Sequence, residues 1–171
     1  IDTTNRGREM TMTSVKSKVR YYDTGQVQSE ETYKNGKPDG PFVTYHENGQ
    51  LKSEGSIKDG EDHGPWVEYH ENGQLWFKGS YKDGKRDGPW VSYYDNGQLW
   101  YEGIYKDGPW VSYHRNGQVE SKGNYENGKK VGPWVRYYDN GQLWYEGIYK
   151  DGKRDGPYVS YHEHHLIRGE R

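Results

Sequence analysis

Seven histidines are the side chains of this 171-residue chain best suited to chemistry near neutral pH. His162, His164 and His165 stand close together and offer the imidazole nitrogens that a transition metal takes. No shaped set of further ligands accompanies them. His46, His70, His114 and His162 recur at one position of a repeated phrase, where other copies have Tyr22, Tyr94 and Tyr138. A slot that tyrosine fills equally well asks for an aromatic ring and not for a ligand, so no metal site is read here. Acid–base catalysis needs carboxylates in unlike environments. One repeated position instead runs Glu30, Glu54, Lys78, Glu102, Lys122 and Glu146, and that mixture of signs marks a solvated face. Ser92, Ser112 and Ser160 recur without a neighbouring base or a strand-to-helix elbow. The glycine-rich stretches lead into strands and open no helix, so they cradle no phosphate. The expectation is a protein that is not an enzyme and takes no cofactor.

What positions all these residues is repetition. A phrase close to Gly-Pro-Trp-Val-x-Tyr-Tyr/His-x-Asn-Gly-Gln-Leu-x-x-x-Gly-x-Tyr-Lys-Asp-Gly fills the chain. Its Gly-Pro pairs begin at Gly40, Gly64, Gly88, Gly108, Gly132 and Gly156, and its turn glycines are Gly25, Gly49, Gly73, Gly97, Gly117 and Gly141. The step is 24 residues except for one of 20, where Tyr105-Lys106-Asp107-Gly108 runs straight into Pro109. Residues 93–108 and 137–152 are identical, a mark of duplication within the chain. A unit of this size cannot close a core alone, so copies must stack into an extended scaffold.

By mean hydropathy, −1.37, with 29% apolar and 29% charged residues, the chain resembles a disordered one. Eighteen tyrosines, seven tryptophans and 24 glycines argue for order, because aromatic rings bury large areas with few torsions to freeze. There is no cysteine, hence no disulfide and no thiolate metal site. A net charge of −2 argues against a nucleic-acid partner. No apolar run approaches the ~18–20 residues of a spanning helix, and no signal-peptide core is seen.

Each copy holds two strand-like runs, such as 66–70 and 75–81, separated by Asn72-Gly73, a strong two-residue hairpin signal. That turn predicts the pairs His70–Leu75, Tyr69–Trp76, Glu68–Phe77, Val67–Lys78 and Trp66–Gly79, with each Trp ring lying over a glycine. One face then carries Trp, the Tyr/His slot, Leu, Gly and the late Tyr. The other carries Val, Tyr and a changeable set: Gln28, Lys52, Trp76, Trp100, Glu120 and Trp144. A bulged turn would swap the second strand's allocation. The fold class is all-β: tandem hairpins in an elongated, twisted, single-layer antiparallel sheet of about 12 strands. Residues 1–18 read as a polar tail or cap and 19–171 as the repeat domain, with Leu166 and Ile167 closing its final edge.

The runs 101–108 and 145–156, with their Tyr-x-Gly-x-aromatic-x-x-Gly rhythm, resemble the MORN repeat. The added Asn-Gly-Gln-Leu turn and the Gly-Pro-Trp start resemble its bacterial variant, found in YwqK-family antitoxins. The likeness covers about residues 20–162. It implies a single-layer sheet used for protein contact, neutralisation of a toxin by binding, and in some relatives membrane association or export. It carries no catalytic residue over.

Trp66, Trp90, Trp110 and Trp134 share a position with Phe42 and Tyr158 and read as structural. Trp76, Trp100 and Trp144 stand where other copies have Gln28, Lys52 and Glu120, so they read either as exposed contact anchors or as covers for neighbouring Val and Tyr. With Tyr101 and Tyr145 they form the candidate partner-binding set. The expected function is a protein-binding scaffold, with an antitoxin or immunity protein as its sharper form. The alternative is an envelope or surface protein that binds lipid or glycan through its aromatic face. Location stays open between the bacterial cytoplasm and, had an export signal preceded Ile1, the periplasm or envelope.

Overall fold

The computed structural model describes residues 14–162, and these fold without a helix into one open antiparallel sheet. Its strands are β1 (Val15–Tyr21), β2 (Val27–Lys34), β3 (Lys37–Tyr45), β4 (Leu51–Lys58), β5 (Glu61–Asp62), β6 (Gly64–Tyr69) and β7 (Leu75–Lys82). They continue with β8 (Lys85–Tyr93), β9 (Leu99–Tyr105), β10 (Gly108–Tyr113), β11 (Val119–Glu126), β12 (Lys129–Tyr137), β13 (Leu143–Lys150) and β14 (Lys153–Ser160). Each strand pairs with the next in sequence; the two-residue β5 pairs with β4 beside β6, of which it is the detached start. The tandem-hairpin architecture is thus the one the repeat predicts. β1 begins inside the segment 1–18, while residues 1–13 and the cap at Leu166 and Ile167 lie outside the described residues.

Two kinds of turn connect the strands, and the two-residue kind falls between copies, not at the Asn-Gly within a copy where the sequence suggests it. Between copies, Asn35-Gly36, Asp59-Gly60, Asp83-Gly84, Asn127-Gly128 and Asp151-Gly152 all have both φ angles positive, as a two-residue type I′ turn requires. Within a copy, Asn72 keeps a negative φ and only Gly73 is left-handed, at +79°. Gly73 donates its N–H to the His70 carbonyl (2.9 Å), His70 donates to the Gln74 carbonyl (2.8 Å), and the Asn72 Oδ1 accepts from the Gln74 N–H (3.0 Å). This is a three-residue loop with a bulge at its glycine.

That loop corrects the expected register near the turn. Tyr69 pairs with Leu75, not with Trp76; Glu68 pairs with Phe77, Val67 with Lys78 and Trp66 with Gly79. Trp76 is left over as a second bulge that cancels the first, so the far half of the hairpin returns to the expected pairing. The same bulge falls at Gln28, Lys52, Trp100, Glu120 and Trp144.

The core is a row of rings on one face. Trp66, Trp90 and Trp134 are almost fully buried, and Phe77 joins them. Each tryptophan ring does lie on a glycine, but on that of the preceding copy and not on its own hairpin partner. A methyl group on Gly55 would sit 1.9 Å from Trp66, on Gly79 2.3 Å from Trp90, and on Gly123 2.3 Å from Trp134. The rings therefore stitch copies together, whereas the register alone closes each hairpin. Late tyrosines wedge edge-on between them: Tyr81 meets Trp66 and Trp90, and Tyr125 meets Trp110 and Trp134.

A second stitch runs along the three-residue turns. The slot rings reach one copy ahead: His46 Nε2 lies 2.9 Å from the Tyr69 carbonyl, His70 Nε2 3.0 Å from that of Tyr93, and His114 Nε2 2.9 Å from that of Tyr137. Tyr22, Tyr94 and Tyr138 donate their hydroxyls to the equivalent carbonyls of Tyr45, Tyr113 and Tyr161 at 2.8–2.9 Å. A carbonyl only accepts, so each histidine carries its hydrogen on Nε2. Histidine and tyrosine interchange here because both place a donor at the far tip of a flat ring.

Candidate functional site

The residues singled out for contact sit at the second bulge of their hairpins. Both the bulged residue and its successor face the tryptophan side of the sheet, as the hydroxyl of Ser112 shows by meeting Glu120 Oε2 (3.3 Å) and Ser121 Oγ (2.7 Å) together. The expectation that Trp76, Trp100 and Trp144 lie on the valine face is therefore overturned, and Leu75 moves to the valine face with Tyr69. The physical reason is the bulge, which inserts one residue and inverts the alternation up to the turn.

On that face each bulge tryptophan packs against the slot ring and the ring that follows it. Trp100 stacks on Tyr94 (5.5 Å between centroids) and meets Tyr101 edge-on (5.3 Å); Trp144 stacks on Tyr138 (5.4 Å) and meets Tyr145 (6.0 Å). Trp76 lies between His70 and Phe77 in the same way. Their outer surfaces remain open, at 38%, 38% and 36% exposure for Trp76, Trp100 and Trp144. Tyr101 and Tyr145 are half-buried beside them and make further ring contacts, Tyr101 stacking on Trp110 and Tyr145 meeting the exposed Tyr158 of the edge strand. The structure thus places all five candidates on one face, in an aromatic layer made of clusters around Trp76, Trp100 and Trp144.

Cations complete this layer. The Arg86 guanidinium lies 4.5 Å from the Trp90 ring, Lys130 Nζ 4.1 Å from Trp134, Arg154 4.4 Å from Tyr158 and Arg136 4.5 Å from Trp144. Burial pulls the Lys130 ammonium below its ordinary pKa. The Tyr145 phenol is pushed up to about 12, first by burial and then by its hydrogen bond to Tyr149, so it stays neutral at physiological pH. The signal for these cations is visible in hindsight: each of Arg86, Lys130 and Arg154 stands two residues before the glycine of a Gly-Pro pair.

Three of the less exposed carboxylates are engaged in structure. Glu31 is buried where other copies have glycine, held by Arg20, by the Tyr33 hydroxyl (2.6 Å) and by the Ser29 hydroxyl (3.3 Å). Glu120 is bound by Arg136 at 2.5 Å. Glu68 accepts from Trp66 Nε1 (3.2 Å), and burial raises its pKa. Among the described residues there is no group of three or more side chains placed to hold a metal; His164 and His165 lie outside them. With no helix among the described residues, none is long and apolar enough to cross a membrane.

Comparison with protein families gives a match to the MORN repeat variant over residues 18–35, 38–59, 62–83, 86–107, 106–127 and 130–151. The fourth and fifth matches share residues 106 and 107, where the neighbouring 22-residue matches are separated by two residues. Curated proteins yield no match. Among solved structures, the crystal structure of the GtfA/B complex bound to UDP and GlcNAc matches at 13% identity and a TM-score of 0.19. That match covers 81% of this chain, which spans about a quarter (24%) of the length of the other.

Proposed function

This chain belongs to the MORN repeat variant family, and on that premise we propose that it is a non-enzymatic scaffold that binds a protein partner through the tryptophan face. The observation that supports the reading is the row of bulge tryptophans. The bulge itself does not call for tryptophan, since Gln28, Lys52 and Glu120 occupy it in other copies, yet these three copies hold large rings partly open to solvent there. Rings pre-stacked on a neighbour lose little freedom on binding, which is what makes a good interface anchor. The sharper form of the proposal is that the partner is a toxin, neutralised by direct contact; the resemblance of the Asn-Gly-Gln-Leu turns to YwqK-family antitoxins supports it.

The test is affinity capture from the source cells, with the Trp100→Glu, Trp144→Glu double variant as the control. The expected result is one stoichiometric protein that the variant loses while its circular dichroism spectrum and cooperative unfolding are kept, with a melting temperature lowered by several degrees because Tyr101 and Tyr145 lose their covering rings. Retention of the partner by the double variant would reject this face. Glycan binding is the second reading. It is favoured by the spacing of Trp76 and Trp100, two strands or about 10 Å apart, which suits sugar rings stacking along an extended chain. Glycan-array signal from the intact chain, lost in the same variant, would select it.

A further inference from the structure

The short unit breaks the edge formed by the type I′ turns, and the break has a definite shape. In regular units each turn leans on the one before it. The turn glycine donates its N–H to a carbonyl of the preceding unit: Gly60 to Pro38, Gly84 to Asp62, Gly128 to Lys106 and Gly152 to Lys130, at 2.8–3.0 Å. Lys106 thereby stands in the place of Pro38, Asp62 and Lys130. Asp107 stands in the place of Asp39, since their carboxylates accept the N–H of Asn127 and of Asp59 respectively. What the short unit lacks is therefore the type I′ turn itself, with its Asp-Gly pair.

The empty seat is an open notch of about 860 Å³, lined by Tyr81, Lys82, Asp83, Lys85, Arg86 and Lys106 among others. It adjoins a smaller hollow of about 240 Å³ floored by Trp110 and Tyr125, with Lys106 and Gly128 common to both. A regular unit shows what such a seat holds. There Lys129, the residue after one turn, faces Asp151 of the next turn at 4.0 Å, and Gly152 lies over the Lys129 stem. Lys85 is the counterpart of Lys129, and the aspartate that would face it belongs to the missing turn. Among the described residues Lys82, Lys85 and Lys106 form no ion pair, whereas Asp83 lies 3.6 Å from His63 on the far side. Four cations against two carboxylates, Asp83 and Asp87, leave the lining positive.

We infer that this notch receives an acidic turn of a partner protein, an Asp-Gly type loop seated where the chain's own turn is missing, with its carboxylates on Lys85 and Lys106. The contact lies on the opposite edge of the sheet from the bulge tryptophans and does not depend on the reading given to them. Charge complementarity of this kind sets orientation and association rate and weakens with salt.

The probe is a cyclic hairpin peptide with an Asp-Gly turn flanked by glutamates, titrated into the full chain by calorimetry and by tryptophan fluorescence, with an Asn-Gly, glutamine-flanked peptide beside it. The expected result is binding of the acidic peptide only, weakened at least tenfold by Lys85→Glu with Lys106→Glu. The decisive variant inserts Gly-Lys-Arg-Asp between Asp107 and Gly108, restoring the regular 24-residue step and filling the seat. It should fold with an unchanged or higher melting temperature and bind no peptide. Equal binding of the neutral peptide, undiminished binding by the insertion variant, or no binding to the parent chain would overturn the inference. So would self-association of the parent chain that the insertion abolishes, which would place a second copy in the notch. Because the insertion leaves Trp76, Trp100 and Trp144 untouched, and their variants leave the notch untouched, the two proposals fail separately.

Discussion

The copies fall into two kinds that share one backbone. In three of them the bulge is tryptophan and the next residue aromatic: Trp76-Phe77, Trp100-Tyr101 and Trp144-Tyr145. In the other three the bulge is polar and the next residue serine: Gln28-Ser29, Lys52-Ser53 and Glu120-Ser121. The second residue explains the coupling. It faces the cross-strand position between Val and Tyr, where Thr44 meets Ser53 at 2.5 Å and Ser112 meets Ser121 at 2.7 Å, hydroxyl to hydroxyl. A phenyl ring there instead needs a large neighbour to cover it, and the bulge tryptophan supplies one. Strand pairing, spine rings and slot hydrogen bonds are common to both kinds. The comparison separates what folds the sheet from what decorates it.

The first way to break that separation is to attack the common spine. Trp134→Ala removes a ring that covers Gly123 in a polar unit, and Trp90→Ala removes one that covers Gly79 in an aromatic unit. Both should lose about 3–5 kcal/mol in denaturant unfolding, the cost of deleting a buried aromatic side chain. A much smaller loss for Trp134 would mean that the polar units are held by other means.

A smaller effect is expected from converting one kind into the other. Trp100→Lys with Tyr101→Ser copies the Lys52-Ser53 unit and sets a serine opposite Ser92, as Ser121 stands opposite Ser112. Stacking on Tyr94 and Trp110 is lost, while a hydroxyl pair is gained. The net loss should be about 1–2 kcal/mol, well below that of a spine deletion, with the circular dichroism spectrum unchanged. A loss as large as that of Trp90→Ala would show that the aromatic bulge is part of the core.

The sequence made the hairpins, their alternation and the Trp–Gly pairing legible because each depends on residues near one another in the chain. The second bulge was hidden by arithmetic: it cancels the turn bulge, so the pairs from Glu68–Phe77 outward read the same with both bulges or with neither. Which glycine a ring covers was hidden for another reason. Trp66 has glycine on either side, Gly79 by register and Gly55 by ring contact, and only the side-chain torsions decide between them. The exposure of Trp76, Trp100 and Trp144 could be read from the charged residues that replace them, but their face could not, since it follows from the bulge. The notch was visible as a missing four residues, and its seat only once Lys106 and Asp107 were seen to stand in for Pro38 and Asp39.

The smallest expected effect concerns a carboxylate placed in an aromatic unit. Glu68 stands opposite Phe77 and accepts one hydrogen bond, from Trp66 Nε1; its polar-unit contrast, Glu120, is held by Arg136 and Ser112. Burial raises the Glu68 pKa against the opposing pull of that hydrogen bond, so the fold favours the protonated acid more than the unfolded chain does. The stability that follows is fully present below the ordinary glutamate pKa of 4.5 and is lost as pH rises through the raised value. Glu68→Gln keeps an acceptor for Trp66 and removes the ionisation. It should therefore raise the melting temperature at neutral pH by a few degrees at most and make no difference in acid. Parallel melting curves from pH 4 to pH 8 decide the matter: a gain of the same size at every pH would trace to shape or packing and not to the buried charge.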